Sequence, residues 1–229
     1  MKLYGEVVHG RLIRRVNRFI AEVSVNGIKE QVHVKNTGRL KELLLPDAEV
    51  LLEVSGHPNR KTRFSLIAAA KEGGWANVDS QAPNAVAYEA LQAGKIAELG
   101  SVASVKREVT YGDSRFDLYY EKDGASGFIE IKGVTLERDG IAMFPDAPTS
   151  RGTKHVLELA KAVRDGYAGA ILFVVQMQGC RGFAPYRDMD AAFADALAQA
   201  SRQGVRIWAY DAAVTEEEMT LGDPLPVLL

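Results

Sequence analysis

At 229 residues, 47% hydrophobic and 25% charged, the chain is long enough for one large domain or two ordinary ones and has no disordered composition. No apolar run approaches a bilayer span, "MKLYGEVVHG" lacks the features of a signal peptide, and the one cysteine, Cys180, excludes an internal disulfide and a cysteine-based zinc site. The net charge of −2 hides an asymmetry: residues 1–75 carry 13 Lys/Arg and 8 Asp/Glu, residues 76–229 carry 15 and 22. A cytoplasmic protein without a membrane partner is expected, with a basic module that grips an anion and an acidic one that holds a cation.

Strand signals dominate the start. "RLIRRVNRFIAEVSV" leads to Asn26-Gly27, a two-residue hairpin turn, and "IKEQVHV" returns. Then come the polar turn Asn36-Thr37-Gly38-Arg39, a short segment ending at Pro46-Asp47, "AEVLLEVS", a turn over residues 56–59, and "TRFSLIAAAKEG". Four or five short strands predict a small five-stranded barrel of the oligonucleotide-binding (OB) type over residues 1–75. "KEGGWANVDSQAPNA" reads as the linker.

From Pro83 the pattern changes. "NAVAYEALQAGKIAEL" predicts a helix with Val86, Leu91 and Ile96 apolar and Gly100 closing it. Strands are expected at about 104–111, 115–121 and 127–134. A Gly/Pro-rich loop precedes the helix "SRGTKHVLELAKAVRDG". The run "AGAILFVVQM" has the apolarity of a central strand, followed by the helix "DMDAAFADALAQASRQG" and the strand "VRIWAYD". Residues 82–229 thus predict a mixed-sheet α/β domain.

"GFIEIKGVTL" places Glu130 and Lys132 on one face of an apolar strand. If Asp123-Gly124 forms a two-residue turn, Asp117 falls opposite Glu130, with Phe116, Leu118, Ile129 and Ile131 together on the buried face. Opposed carboxylates repel unless a cation lies between them. Mg²⁺ or Mn²⁺ held by Asp117 and Glu130 suits phosphodiester hydrolysis, with Lys132 orienting water or stabilising the departing oxyanion. A four-residue turn would instead pair Asp117 with Lys132 as a plain ion pair.

Arg11, Arg14, Arg15 and Arg18 fall within eight residues, Arg14 and Arg18 on one strand face and Arg11 and Arg15 on the other unless a bulge joins them. Asn36, Thr37 and Arg39 surround a glycine that permits close approach to phosphate. Asn59, Arg60, Lys61 and Arg63 form a second basic turn. Three such patches favour nucleic acid bound through its backbone, and the scarcity of interleaved aromatics favours a duplex. Arg151, Lys154 and His155 open a helix where phosphate contact is favourable. Gln176 ends an apolar strand, either holding a metal-bound water or satisfying the strand end.

"SRFDLYYEKDGASGFIEIKGVTL" resembles the PD-(D/E)xK hairpin of the restriction-endonuclease-like nucleases, with Phe116 where many members have proline. The resemblance implies that Glu89 joins the metal site. "VKNTGRL", "NRKTRFSL", "YEALQAGKIAEL", "KREVTYGDSRFDL", "EIKGVTL", "FPDAPTSRGTKHVLEL" and "PLPVLL" resemble the sugar fermentation stimulation protein A family over the whole chain. That resemblance implies an OB barrel, a nuclease-like second domain, non-specific DNA binding and a regulatory link to maltose metabolism. Two functions stay open, a Mg²⁺-dependent DNA nuclease and a non-catalytic DNA-binding regulator. The basic barrel argues against a small phosphorylated ligand, and a homodimer is compatible with the sequence.

Overall fold

The computed structural model describes residues 2–57 and 60–229, so the expected turn over 56–59 and the Asn59 part of the second basic turn lie wholly or partly outside the described residues. The first sheet contains β1 (Val7–Arg15), β2 (Ile20–Val25), β3 (Ile28–Val34), β4 (Glu49–Val54), β5 (Phe64–Lys71) and β6 (Gly74–Asn77), in the order β3-β2-β1-β4-β5-β6. Parallel pairing of Val32 with Phe64 through Val34 with Leu66 closes five of these strands into a barrel. Asn26 and Gly27 take φ of 50° and 80°, the left-handed pair that a two-residue hairpin turn demands. Val23, Val32, Val50, Leu52 and Leu66 fill the interior.

The strand expected to run through Arg18 stops at Arg15. Asn17 Oδ1 accepts from Phe19 N (2.8 Å) and Ile20 N (3.0 Å), so a side chain replaces the ladder and turns the chain into β2. Arg18 therefore lies in a turn and shares no strand face with Arg14. The expected bulge is present, between Leu12 and Arg14. Arg15 points into the barrel's end, where its guanidinium donates to the carbonyls of Asn17 (3.2 Å), Gly38 (2.8 Å), Arg39 (2.5 Å), Arg18 (2.8 Å) and Asn36 (3.2 Å). All five of its N–H donors are used, which joins the β1–β2 turn to the Asn36–Arg39 turn.

The second module adds α1 (Ala82–Gln92), β7 (Ser104–Tyr111), β8 (Ser114–Lys122), β9 (Ala125–Val134), β10 (Leu136–Arg138), β11 (Ile141–Phe144), α2 (Ser150–Arg164), β12 (Ala168–Val175), β13 (Gly182–Pro185), α3 (Ala191–Arg202), β14 (Arg206–Val214) and β15 (Met219–Pro224). Its main sheet has the order β15-β14-β12-β9-β8-β7, with β12 parallel to both β9 and β14. A parallel centre needs cover on both faces, and it has it. Leu118, Ile129 and Ile131 pack with α1 residues such as Val86 and Leu91, while Phe116, Phe128 and Phe173 pack with Val156, Leu159 and Phe193 of α2 and α3.

The first helix is shorter than its pattern. It ends at Gln92 because Gly94 turns the chain at φ 66°, and Ile96 and Leu99 are buried from the following turns instead. The small sheet β10-β11-β13 has no counterpart among the expected elements. Its strands are three or four residues long, too short to show a period.

The two modules share one hydrophobic cluster, running from Leu12 and Leu66 to Phe173 and Phe193. Buried Gln176 sits at their junction. Its side-chain amide nitrogen donates to Asn77 O (3.1 Å), Asn77 Oδ1 (3.0 Å) and Asp79 O (3.1 Å), and its backbone carbonyl accepts from Asn77 N (2.8 Å). Of the two roles expected for Gln176, the structure shows the strand end being satisfied: its amide donors go to β6 and the residues after it, and Gln176 does not line the cleft over Asp117 and Glu130.

Replacing Arg15 by Ala leaves a cluster of carbonyls without donors and should cost about 3 kcal/mol, with Lys a poor substitute because it cannot span the fork. Urea unfolding of wild type, Arg15→Ala and Arg15→Lys measures this; a loss within experimental error would show the clamp to be idle. Glu22, buried on β2, is held down to about 2 by hydrogen bonds from Arg14 and Lys29. A folded pKa below the unfolded one means stability present above pH 4.5 and lost as pH falls through about 2. Thermal melts between those limits should fall more steeply for wild type than for Glu22→Gln.

Candidate active site

The β8–β9 hairpin turns through Asp123 and Gly124 at φ of 50° and 77°, and pairing runs from Lys122 with Ala125 to Leu118 with Ile129. This is the two-residue register expected, which carries Asp117 to the level of Glu130. There the side chain takes over from the ladder: Asp117 Oδ2 accepts from Ile131 N (2.7 Å), and Oδ1 accepts from Asn84 Nδ2 on α1 (2.8 Å). Across β7, Glu108 takes φ 54° at the same level, interrupting the pairing between Arg107–Leu118 and Val109–Phe116. The strand changes face at this break. Phe116 packs on Phe128 at 5.2 Å, whereas Leu118 packs with Ile129 and Ile131 on the α1 side. The expected grouping of Phe116 with Leu118 is therefore wrong, and the two side chains are buried in different layers.

Glu130 is only 2% exposed. Its Oε1 accepts from Lys132 Nζ (2.5 Å) and is hydrogen-bonded to His155 Nδ1 from α2, while its Oε2 is buried without a partner. Burial alone pushes the Glu130 carboxyl up, but the His155 hydrogen bond and the Lys132 charge outweigh it and hold the group below the usual carboxylate range. Asp117 goes the other way: burial, then the Glu130 charge, raise it, against its bond from Ile131 N and the Lys132 charge. A cleft of about 140 Å³ lies over these groups, lined also by Arg151, Arg115 and Glu108.

An orphaned carboxylate oxygen beside a second, electrostatically raised carboxylate fits a hard divalent cation, which takes oxygen ligands and relieves both penalties. Among the described residues no group of three or more His, Cys, Asp and Glu is placed to hold an ion. The protein therefore offers Asp117 and Glu130, leaving other positions to water or phosphate in the manner of Mg²⁺. Glu89 does not line the cleft. It is exposed on α1, five residues beyond Asn84 and hence about 140° around the helix from it.

The expected phosphate contacts divide by what their donors already do. Arg151 is exposed and lines the cleft at the start of α2, where Thr149 Oγ1 caps Gly152 N (3.0 Å). Lys154 reaches Asp113 O (3.3 Å), and His155 is buried on Glu130, so His155 is a partner of the carboxylate and not a phosphate contact on the surface. Arg14 forks onto Glu22 at 2.7 and 3.2 Å, and Arg15 is spent on carbonyls. Arg11 donates to Asp47 O (3.1 Å) while remaining exposed. Asn36 holds Val78 O (2.9 Å) and Gly38 N (2.6 Å), a structural role. Arg60 contacts His33 Nδ1 at 3.1 Å. Arg18, Thr37, Arg39 and Lys61 are exposed, and the cationic heads of Arg18, Arg39 and Lys61 have no hydrogen-bond or ion-pair partner among the described residues.

Asn84, which fixes Asp117, was not anticipated, since a helical Asn carries no signal that it faces a strand 33 residues away.

Comparison with known proteins agrees with this layout. Residues 13–78 match the family model described as the SfsA N-terminal OB domain, and residues 81–218 that of the sugar fermentation stimulation protein RE domain. A sugar fermentation stimulation protein homolog of Alkaliphilus oremlandii is 52% identical over 229 residues, covering 98% of this chain and 97% of its own. One from Clostridium botulinum strain Loch Maree is 46% identical over 228 residues, covering 99% of each. The solved structure of Pyrococcus furiosus SfsA in complex with Ca²⁺ superposes with a TM-score of 0.88 at 29% identity, covering 100% of both chains. The chain belongs to the sugar fermentation stimulation protein family.

Proposed function

We propose that the protein binds DNA non-specifically through its backbone and hydrolyses phosphodiester bonds at a divalent-cation site formed by Asp117 and Glu130. The buried, partnerless Oε2 of Glu130 carries this reading, because an acid with no other use for that oxygen would not be kept ionised inside a sheet. The Ca²⁺ bound by the Pyrococcus furiosus relative supports it, Ca²⁺ sharing the preference for oxygen donors. So do the loop cations Arg18 and Lys61, which lie on the β1–β2 and β4–β5 connections that OB barrels use for oligonucleotides.

Each side chain has a part. His155 fixes the orientation of Glu130 and keeps it ionised. Asn84 and Ile131 N do the same for Asp117. Arg151 and the free N–H groups at the start of α2 hold a neighbouring phosphate. Lys132 Nζ, 2.5 Å from Glu130, is within a side-chain rotation of a water or of the oxygen that leaves as the P–O bond breaks. A bound Mg²⁺ or Mn²⁺ supplies a more acidic water and offsets charge on the phosphoryl oxygens.

Supercoiled plasmid incubated with the wild type and Mn²⁺ should be nicked, and Asp117→Asn, Glu130→Gln and Lys132→Ala should each lose at least a hundredfold in rate. Thermal melts read the ion separately. Mn²⁺ at a hundred times its Kd should stabilise the wild type by about 2.7 kcal/mol, less so Asp117→Asn and Glu130→Gln, and Lys132→Ala almost as much as wild type. A wild-type melting temperature unmoved by millimolar Mn²⁺ sinks the cation site. An ion that binds without any cleavage leaves a DNA-binding protein that has lost the reaction.

A pH series tests His155. Removing its hydrogen bond should raise the Glu130 pKa, so the metal-induced stabilisation should fade at higher pH in His155→Ala than in wild type on acidification. Coincident acid limbs would mean that His155 does not tune the ligand.

A further inference from the structure

Lys132 is the last residue of β9 to line the carboxylate cleft. Gly133, the next residue of β9, lines a second cleft of about 320 Å³ between the Asn36–Gly38 turn and the loop entering α2. Asn36, Thr37 and Ser80 line both that cleft and a third, of about 300 Å³, which opens onto the barrel beside Phe19, His33 and Lys35. The second and third clefts thus form one groove across the junction of the modules to the barrel surface, and the carboxylate cleft adjoins it where Lys132 precedes Gly133 on β9 and Arg151 follows Thr149 into α2.

The chemistry changes along it. The first cleft is charged. The middle is mostly neutral, with Thr37, Thr135, Thr149 and Phe144 on its walls, and its one acid, Asp146, accepts from Arg39 N (3.1 Å). At the barrel end the Phe19 residue is 48% exposed although its backbone is fixed at both ends, by Asn17 Oδ1 on its N–H and by Val34 N on its carbonyl (2.8 Å each). Arg18 lies beside it in sequence, and Arg60 stands on His33 in the same wall. An exposed ring on a fixed backbone, in a cleft also lined by Lys35 and with Arg18 next in sequence, is an arrangement on which an unpaired base stacks. A duplex, whose major groove alone is about 12 Å wide, does not enter a cleft of 320 Å³, and its charged exterior does not suit neutral walls.

We propose that this groove takes a single strand or an unpaired end of nucleic acid, with one base stacked on Phe19 and the chain crossing Thr37 to bring a phosphate to Asp117 and Glu130. This rests on the nucleic-acid reading above and narrows its substrate, against the duplex expected from the scarcity of aromatics.

The test is binding without turnover. A fluorescein-labelled 20-nucleotide strand and the same sequence as a blunt duplex are titrated by anisotropy in EDTA, against wild type, Phe19→Ala, Phe19→Trp and Thr37→Trp. Phe19→Ala should weaken single-strand binding about tenfold and duplex binding no more than about twofold, with Phe19→Trp close to wild type. Thr37→Trp, which fills the junction of the two clefts, should also weaken the single strand selectively. Phe19 is exposed, so its replacement leaves the core intact. Any other pattern with binding retained, such as equal effects on both ligands or none, overturns the groove and leaves the nucleic-acid reading standing. No binding of either ligand by wild type removes that reading and this proposal with it.

Discussion

Glu130 lies on β9, an interior strand flanked by β8 and β12, where an ionised carboxylate costs several kcal/mol unless it is partnered. Two neighbours meet most of that cost. Lys132 comes from the same strand, two residues on, and His155 comes from α2 beneath it. The second contact depends on where α2 begins. Gly152 in its first turn is buried, and a Cβ there would lie 2.9 Å from Thr149 Oγ1 and 3.4 Å from the Phe193 ring, so glycine lets the helix start tight against its cap and α3. The position of one imidazole is thus set by the packing of Gly152, three residues before it, against its cap and α3.

The junction of the modules follows the same logic with a mixed network of ion pairs and neutral hydrogen bonds. Tyr4 OH accepts from Asn77 (2.7 Å), Asp79 receives Lys35 (3.2 Å), and Lys35 also holds Glu53 (2.8 Å). Gln176 closes this network from the end of β12. With a common hydrophobic cluster beneath it, the network ties the linker to both sheets. Asp146 then ties the Asn36–Arg39 turn to the loop entering α2, through Arg39 N, so close that a Cβ on Gly38 would stand 2.7 Å from its carboxylate. The walls of the central cleft come from both modules for this reason.

Local grammar made the elements readable. The Asp123-Gly124 turn fixes a register by arithmetic, and β7 runs over the residues its alternation indicated. What was not readable depends on partners distant in sequence. Alternation distinguishes two faces but not that both are covered, so it could not show Glu130 to be buried. Arginine spacing counts charges but not the carbonyls that consume Arg15. His155 reads as a surface cation at a helix start until α2 is laid across the sheet, and Glu89 reads as a ligand until the helix phase is measured against Asn84.

The charge asymmetry between the modules has to be reread in the same light. Arg14 and Lys29 serve Glu22, Lys35 serves Glu53 and Asp79, and Arg15 serves backbone. Much of the barrel's positive charge is internal to its own stability and is not free to pair with an outside anion. The cations left for phosphate are those on turns, such as Arg18, Arg39 and Lys61, and they are few. For the nucleic acid proposed as ligand, affinity from so few contacts would be modest and blind to sequence. In the proposed reaction, placing one particular phosphate at Asp117 and Glu130 would then have to come from shape. Here that means the groove whose floor is Gly133, a residue whose missing side chain leaves room beside Gln176 and Pro83 where a Cβ would stand 2.5 and 2.8 Å from their atoms.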